Sequence, residues 1–347
     1  MNVLYIVGKL NFGGVEKWLL EICKRNKKNK IFLWSNCDEN YIGKLENEFL
    51  NQNCTLIKEN ISKNLFINFL QMRKICKEYK IDVVHMHQHN FNGVLTFSAY
   101  LCLIKKRIVH FHSMKKNRNG FFYKIYEKIM LWLANNFSTH RIAVSDNVGK
   151  TQLKNYIVMP CGFTLAPLDH NKRIECMSKK IIQVGRFVSE KNYFFTIDLM
   201  NYIVKIDPDY KLYIVGDGNL RKEIENKIEI HNLKNNVEIL GFCNNVNEIL
   251  EKFNGLMVFP SLSEGLGLVS LEAQMNGCFC ICSQNIPKEV NIGGAFFVED
   301  YSYEKWFMAI KSCYKSISKI NINIEKFDIE DNLNFLEEIY TYERING

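Results

Sequence analysis

Two carboxylates, Glu264 and Glu272, stand eight residues apart in the stretch PSLSEGLGLVSLEAQ at 260–274. An apolar run at 255–259 leads into it and reads as a buried strand. Glu264, Gly265 and Gly267 then predict a tight loop, and the spacing over 268–275 predicts a helix that stops at Gly277. Glycines let backbone N–H groups approach a bound anion, and a helix N-terminus favours negative charge beside it. Carboxylates next to such a place suit a ligand that carries both phosphates and hydroxyls. The same residues would also make a plain glycine turn with two solvated glutamates, so the rest of the chain has to decide.

Arg186 and Lys191 lie in VGRFVSEKN at 184–192, between a predicted strand and a predicted helix. An arginine that binds in a bidentate fork and a lysine that acts as a point charge make a diphosphate clamp, although surface cations are the bland alternative. Gly13 and Gly14 follow the first strand and precede a helix at 15–24, where their N–H groups could serve the same phosphates. They lack the G-x-G-x-x-G order, so no nicotinamide or flavin site is expected. His85-Met-His87, then His89, and His110-Phe-His112 close two strands, each pair read as sending one ring to each sheet face. Neither H-E-x-x-H nor an acidic cluster accompanies them, so no metal is expected. The reading is a histidine at the ligand cleft that hydrogen-bonds or handles a proton.

These residues need elements to hold them. Strands are predicted at 2–7, 31–35, 55–58, 82–87, 107–113, 140–145 and 157–160, with helices at 64–79, 91–103, 121–135 and 146–154. That alternation describes a parallel sheet covered on both faces. The alternation breaks at 160–170, before a polar run at 171–180, and then restarts. Strands follow at 181–185, 211–216, 237–241, 255–259, 279–283 and 295–298, with helices at 191–205, 219–232, 246–253, 268–275 and 303–317. The fold class is therefore α/β, with two Rossmann-like, doubly wound domains facing a cleft. Their bounds are read as 1–168 and 169–331, followed by a closing helix in 332–347 that could cross back to the first domain. Residues 318–331 receive no assignment. The candidates fall at carboxyl ends of strands, where open α/β sheets bind ligands.

Composition supports a globular, two-domain protein: 347 residues exceed one ordinary core, and 47% hydrophobic with 24% charged residues excludes a disordered chain. Twelve cysteines without metal spacing or C-x-x-C read as reduced thiols, with Cys278, Cys280 and Cys282 on one face of a strand. With no leader read after Met1 and no apolar run of the roughly 18–20 residues that span a bilayer, a cytoplasmic protein is expected. Residues 1–164 hold 25 Lys and Arg against 11 Asp and Glu, whereas the remainder holds 20 against 26. A basic half and an acidic half suggest different partners. Within the basic half, apolar 121–133 carries Lys124 and Lys128 and follows cations at 105–107 and 115–118. This suits an anionic membrane surface, the alternative being a core helix packed on the sheet. Nothing indicates nucleic acid.

With GGVE at 13–16, VGR at 184–186, KN at 191–192, VGDG at 215–218, GF at 241–242 and the E-x7-E spacing of Glu264 and Glu272, the chain resembles a known family. It is similar to the retaining nucleotide-sugar glycosyltransferases of family four, of the two-domain fold called GT-B, and within it to bacterial exopolysaccharide and capsular-polysaccharide transferases. The resemblance implies that Arg186 and Lys191 hold the donor diphosphate and stabilise the leaving nucleotide. It implies that Glu264 takes hydroxyls of the donor sugar and Glu272 those of the ribose, with Gly241 and Phe242 beside the base. Gly265, Leu266, Gly267 and Leu268 would offer backbone N–H groups, and His112 would reach the donor sugar. No metal or other cofactor is implied, because the two cations supply the positive charge. The implied reaction retains the anomeric configuration by front-face attack, with Glu264 not a nucleophile. The implied donor is UDP-linked and the acceptor a lipid-linked or growing surface glycan, which places the enzyme peripherally on the inner face of the cell membrane. The alternatives are a transferase with a soluble acceptor, a sugar-nucleotide epimerase, or a non-catalytic partner subunit. Cys161 stands where relatives commonly have the asparagine of Pro-Asn-Gly, so that asparagine's role does not carry over.

Overall fold

The computed structural model describes residues 1–347 except 12, 53, 116–119, 164–172, 176–177, 254, 315–316, 320–326 and 342–347. The chain divides into two compact units, Met1–Ala166 with Glu325–Gly347, and Pro167–Ile324.

The first unit is built on a seven-stranded sheet ordered β3-β2-β1-β4-β5-β6-β7. Its strands are β1 (Asn2–Val7), β2 (Lys30–Ser35), β3 (Thr55–Lys58), β4 (Val83–Met86), β5 (Lys106–Phe111), β6 (His140–Ala143) and β7 (Ile157–Val158). All its strand pairs are parallel. Helices α1 (Gly14–Arg25), α2 (Glu46–Leu50), α3 (Leu65–Glu78), α4 (Asn92–Leu101), α5 (Phe121–Phe137) and α6 (Asp146–Gln152) connect them. The central strands bury nearly every side chain, as expected of parallel strands covered on both faces. Side-chain caps fix some helix starts: Asn64 accepts from the N–H groups of Phe66 and Ile67, and Ser145 from that of Val148.

The second unit repeats the plan in six parallel strands, ordered β11-β10-β9-β12-β13-β14. After β8 (Arg173–Glu175) come β9 (Lys180–Val184), α7 (Tyr193–Ile206), β10 (Lys211–Val215), α8 (Arg221–Ile230), β11 (Val237–Gly241) and α9 (Val246–Lys252). Then follow β12 (Leu256–Phe259), α10 (Leu268–Met275), β13 (Phe279–Ser283), β14 (Ala295–Val298), α11 (Tyr303–Cys313) and β15 (Ile317–Lys319). β8 and β15 pair antiparallel. Strand β8 lies inside the polar stretch expected to be linker, and β15 ends the helix expected to run to residue 317; this pairing is long-range and leaves no local period. Cys278, Cys280 and Cys282 are fully buried free thiols.

The last helix, α12 (Ile329–Thr341), belongs to the first unit and packs on α1. Phe163 N–H donates to the Phe327 carbonyl, and Gly162 N–H donates to Asn332 Oδ1 at 2.7 Å. This return alters the charge reading. By unit, the first holds 27 Lys and Arg against 18 Asp and Glu, and the second 18 against 19. The second unit is therefore nearly neutral, because most of the excess acid lies in the segment that rejoins the first.

Helix α5 does not behave as a core helix. Only Glu127, Met130 and Ala134 are buried among its described residues, while Phe121, Phe122, Ile125, Tyr126, Ile129 and Trp132 are exposed. Lys124 and Lys128 share that outer surface. The buried Glu127 carboxylate is met by Lys115 Nζ at 2.5 Å. Of the flanking cations, 116–118 lie outside the described residues. None of the helices, among the described residues, is long and apolar enough to cross a membrane.

Candidate functional site

The strand order of the second unit reverses between β9 and β12, and doubly wound sheets bind ligands at such a reversal. Arg186 and Lys191 leave the carboxyl end of β9, and Glu264 leaves that of β12. A 3-10 turn at Ser189–Lys191 ends in Asn192 with φ of 54°, which starts α7 and turns the chain back over the sheet. One backbone and one side-chain hydrogen bond fasten this loop to the next: Leu262 N–H donates to the Glu190 carbonyl at 2.8 Å, and Asn192 Nδ2 donates to that of Pro260 at 3.3 Å. Lys191 Nζ ion-pairs with Glu264 Oε1, both side chains being mostly buried, and sits 5.0 Å from the centre of the Phe259 ring. The predicted cation and carboxylate are thus brought into direct contact. Arg186 is exposed on the same loop.

Glycines make this packing possible at two points. Gly216 has φ of 146°, and a Cβ there would lie 1.9 Å from the Gly185 carbonyl oxygen. Gly267 has φ of 93° at the N-cap of α10, where a Cβ would meet the Phe259 ring at 2.9 Å. Its αL conformation turns the chain from the buried Gly265 and Leu266 into α10, which begins at Leu268. Glu272 lies on α10, half-buried and one turn before Asn276, whose side chain donates to the Glu272 carbonyl. Gly241 closes β11 with φ of 77°, and Phe242 after it is half exposed. The loops after β9, β10 and β11 are also stitched together: Phe187 N–H donates to the Asp217 carbonyl, and Gly216 N–H to that of Gly241. Arg186, Lys191, Gly241, Phe242, Glu264 to Leu268 and Glu272 therefore share one unit and its sheet's carboxyl edge.

The remaining candidates, Gly13, Gly14 and His112, belong to the first unit. Gly13 caps α1, and the Glu16 carboxylate lies against it, 2.1 Å from where a Cβ would stand. A carboxylate there disfavours a second anion, which weakens the phosphate reading for Gly13 and Gly14.

The histidines differ from expectation. Tyr5 pairs with His85, and His85 with Ile108, so these residues share one sheet face. A strand's period of two puts residues i and i+2 on the same face, so His87, His110 and His112 join them. The one-ring-per-face reading was therefore mistaken. The rings lie against one another: His85 to His87 at 4.4 Å, His87 to His112 at 5.0 Å, and His110 to His112 at 3.9 Å between centres. Trp18 of α1 lies edge-on to His110 at 5.4 Å, its Nε1 donating to Asn332 Oδ1 of α12 at 2.8 Å. Tyr340 of α12 bonds both His85 Nδ1, at 2.9 Å, and Tyr5 Oη, at 2.8 Å.

His112 is engaged on both nitrogens. Its Nε2 lies 2.8 Å from His87 Nδ1, and its Nδ1 lies 3.4 Å from Cys161 Sγ. Burial, then neighbouring histidines, hold the His112 pKa well below the ordinary imidazole value, so the ring is neutral. Burial, then Glu16, push the Cys161 thiol well up, so it stays protonated beside His112 Nδ1. Cys161 thus touches the candidate histidine, a contact that its place in the sequence does not disclose. His87 was singled out with His85 but given no role, and Asn332 was not foreseen. The alternation of His87 with His85 carried a usable signal for the first, whereas Asn332 carried none.

Comparison with known proteins agrees with this layout. Residues 12–162 match the family described as Glycosyltransferase Family 4, and residues 168–321 match Glycosyl transferases group 1. The chain is 27% identical, over 98% of both chains, to the "Capsular polysaccharide biosynthesis glycosyltransferase CapH" of Staphylococcus aureus. It is also 27% identical to an Escherichia coli "UDP-Gal:alpha-D-GlcNAc-diphosphoundecaprenol alpha-1,3-galactosyltransferase", across 67% of this chain and 64% of that one. Among solved structures, Anabaena Alr3699/HepE in complex with UDP matches with a TM-score of 0.76 at 17% identity, covering 97% of this chain and 99% of that one. That structure supports the fold, two parallel α/β sheets of the GT-B type. With both halves matched in register with the two sheets, the chain belongs to the family-four glycosyltransferases.

Proposed function

We propose that this glycosyltransferase moves a sugar from a UDP-linked donor to a lipid-linked or growing surface glycan, with retention of configuration and without a catalytic metal. The observation that carries the reading is the junction of Lys191 and Glu264 at the β9–β12 reversal, with Arg186 on the same loop. Arg186 and Lys191 would take the diphosphate and offset the charge that develops on the departing nucleotide, which a divalent ion does elsewhere. A diphosphate must compete with Glu264 for Lys191, and Glu264 released from that pair would be available to sugar hydroxyls. Glu272 would bind the ribose, with Gly241 and Phe242 beside the base. For His112 to meet the sugar it must give up one ring partner, and Cys161, whose sulfur is a weak hydrogen-bonding group, is the one it yields at least cost.

The named relatives act in capsule synthesis and on a diphosphoundecaprenol-linked sugar, which supports the acceptor class. The exposed aromatic and lysine face of α5 supports a peripheral seat on the cytoplasmic, anionic leaflet, where apolar burial and charge attraction add. The test is transfer from UDP-sugars to a short prenyl-diphosphate-linked sugar. The expected product keeps the donor's anomeric configuration by NMR, and neither Mg²⁺ nor Mn²⁺ accelerates its formation. An inverted product, a metal-activated rate, or epimerised UDP-sugar without transfer would each refute the corresponding part.

A further inference from the structure

The three buried histidines at the carboxyl ends of β4 and β5 are arranged as ligands rather than as core filling. We infer that His85, His87 and His110 bind a transition-metal ion of the zinc class inside the first unit, as a structural site apart from the transfer chemistry.

Geometry comes first. One ring nitrogen from each of the three lies within 4.8 Å of the others. Zinc held tetrahedrally at about 2.0–2.1 Å from each nitrogen sets those nitrogens about 3.4 Å apart, so a modest inward rotation of rings closes the set. All three residues are buried, with His85 fully so. Two of these rings each have a buried nitrogen without a hydrogen bond, His85 Nε2 and His87 Nε2. For His110 the Met159 backbone favours the protonated ring, yet neither nitrogen makes a hydrogen bond of good geometry. Buried polar atoms are nearly always satisfied, and unpartnered ring nitrogens on three neighbouring buried histidines call for a shared partner.

The other nitrogens are occupied as metal ligands require. His85 Nδ1 is held by Tyr340 Oη, itself bonded to Tyr5 Oη, and His87 Nδ1 is held by His112 Nε2. Such outer hydrogen bonds fix ring orientation and tautomer in metal sites. An all-imidazole set suits zinc, copper or nickel and not magnesium or calcium, which require oxygen. The ligands come from two adjacent strands, and His85 is tied to α12, so a bound ion would also clamp the returning helix.

The test uses untagged full-length protein, stripped with chelator and reloaded with Zn²⁺ or Co²⁺. Expected are about one ion per chain retained through gel filtration, the intense visible bands of four-coordinate cobalt, and a raised melting temperature. His85→Ala and His110→Ala should lose retention and bands, whereas His231→Ala, in the other unit, should keep both. Retention unchanged in His85→Ala and His110→Ala would overturn the site, as would wild-type protein that holds no ion. Should those variants fail to fold, wild-type cobalt protein decides: weak, octahedral bands would also overturn it.

Discussion

Both sheets reverse their strand order at the equivalent place, between β1 and β4 in one unit and between β9 and β12 in the other, and they use it in opposite ways. In the first unit the reversal is roofed by α1 and α12, and neutral histidines, Trp18, Tyr5 and Tyr340 fill the space beneath. In the second, glycine-rich loops leave charged side chains there, paired with each other and within reach of water. One architecture thus yields a packed polar interior in one copy and a cluster of charged loop side chains in the other. The difference lies in a few loop residues and in one helix that returns from the far end of the chain. It teaches that strand order nominates a site, while loop chemistry and roofing decide whether the site is open to a ligand.

The sharpest way to break this comparison is to remove charge from the second reversal. Arg186→Ala and Glu272→Ala should each lower transfer about 10²–10³-fold, the usual cost of removing one stabilising group, with melting temperature unchanged. Steady-state transfer rates check it, and near-normal rates in both would remove the chemistry from this edge. In the first unit the equivalent blow is structural. Asn332→Ala leaves the buried Trp18 Nε1–H and Gly162 N–H without their acceptor, which should cost about 2–4 kcal/mol in denaturant unfolding while KM for donor stays put.

Gly216→Ala should cost about 1–3 kcal/mol, because it sets a Cβ against the Gly185 carbonyl at a positive φ. Followed by Trp306, the one tryptophan of the second unit, that loss should appear there and be accompanied by weaker donor binding.

Acid should act on the first unit. Burial pushes Glu46 upward, but the Lys58 and Gly43 hydrogen bonds outweigh it and leave its pKa below the ordinary carboxylate value. A carboxylate depressed in the folded state gives stability that is present above its unfolded pKa and lost as pH falls through the folded one. His140 is depressed by burial, then by Lys106 and Arg141, so its contribution is complete above about pH 6.5 and declines below it. Fluorescence of Trp18 and Trp34 should therefore report earlier melting of the first unit as pH drops from neutral toward 4, and Lys58→Met should flatten the lower part of that profile. The smallest effect is expected on α5. Phe122→Ser should change stability by no more than about 0.5 kcal/mol, since the ring is exposed, yet reduce flotation with anionic vesicles.

Much of this layout was legible in the chain. The helix at 268–275, with its glycine entry and exit, has the bounds read from spacing alone, and the two runs of alternating strands and helices gave both sheets. Arg186, Lys191 and Glu264 stand on loops that follow strand ends, where local pattern is informative. What local pattern could not supply were contacts between distant segments. Tyr340 meets His85 across 255 residues and Asn332 meets Trp18 across 314, and no periodicity encodes either. The split of charge misled because it was counted by position in the chain, whereas the acidic end folds into the basic unit. α5 was ambiguous for a physical reason: an apolar helix bearing a few lysines serves a core or a membrane surface, and only its surroundings distinguish them.

The most direct measurement is a thermal shift of wild-type, Arg186→Ala and Glu272→Ala proteins with UDP and UDP-sugars. A ligand at a hundred times its Kd should stabilise the wild type by about 2.7 kcal/mol, and the two variants should respond weakly or not at all at the same concentration. Equal shifts in all three proteins, or none with any UDP compound, would contradict a donor site on the β9–β12 edge.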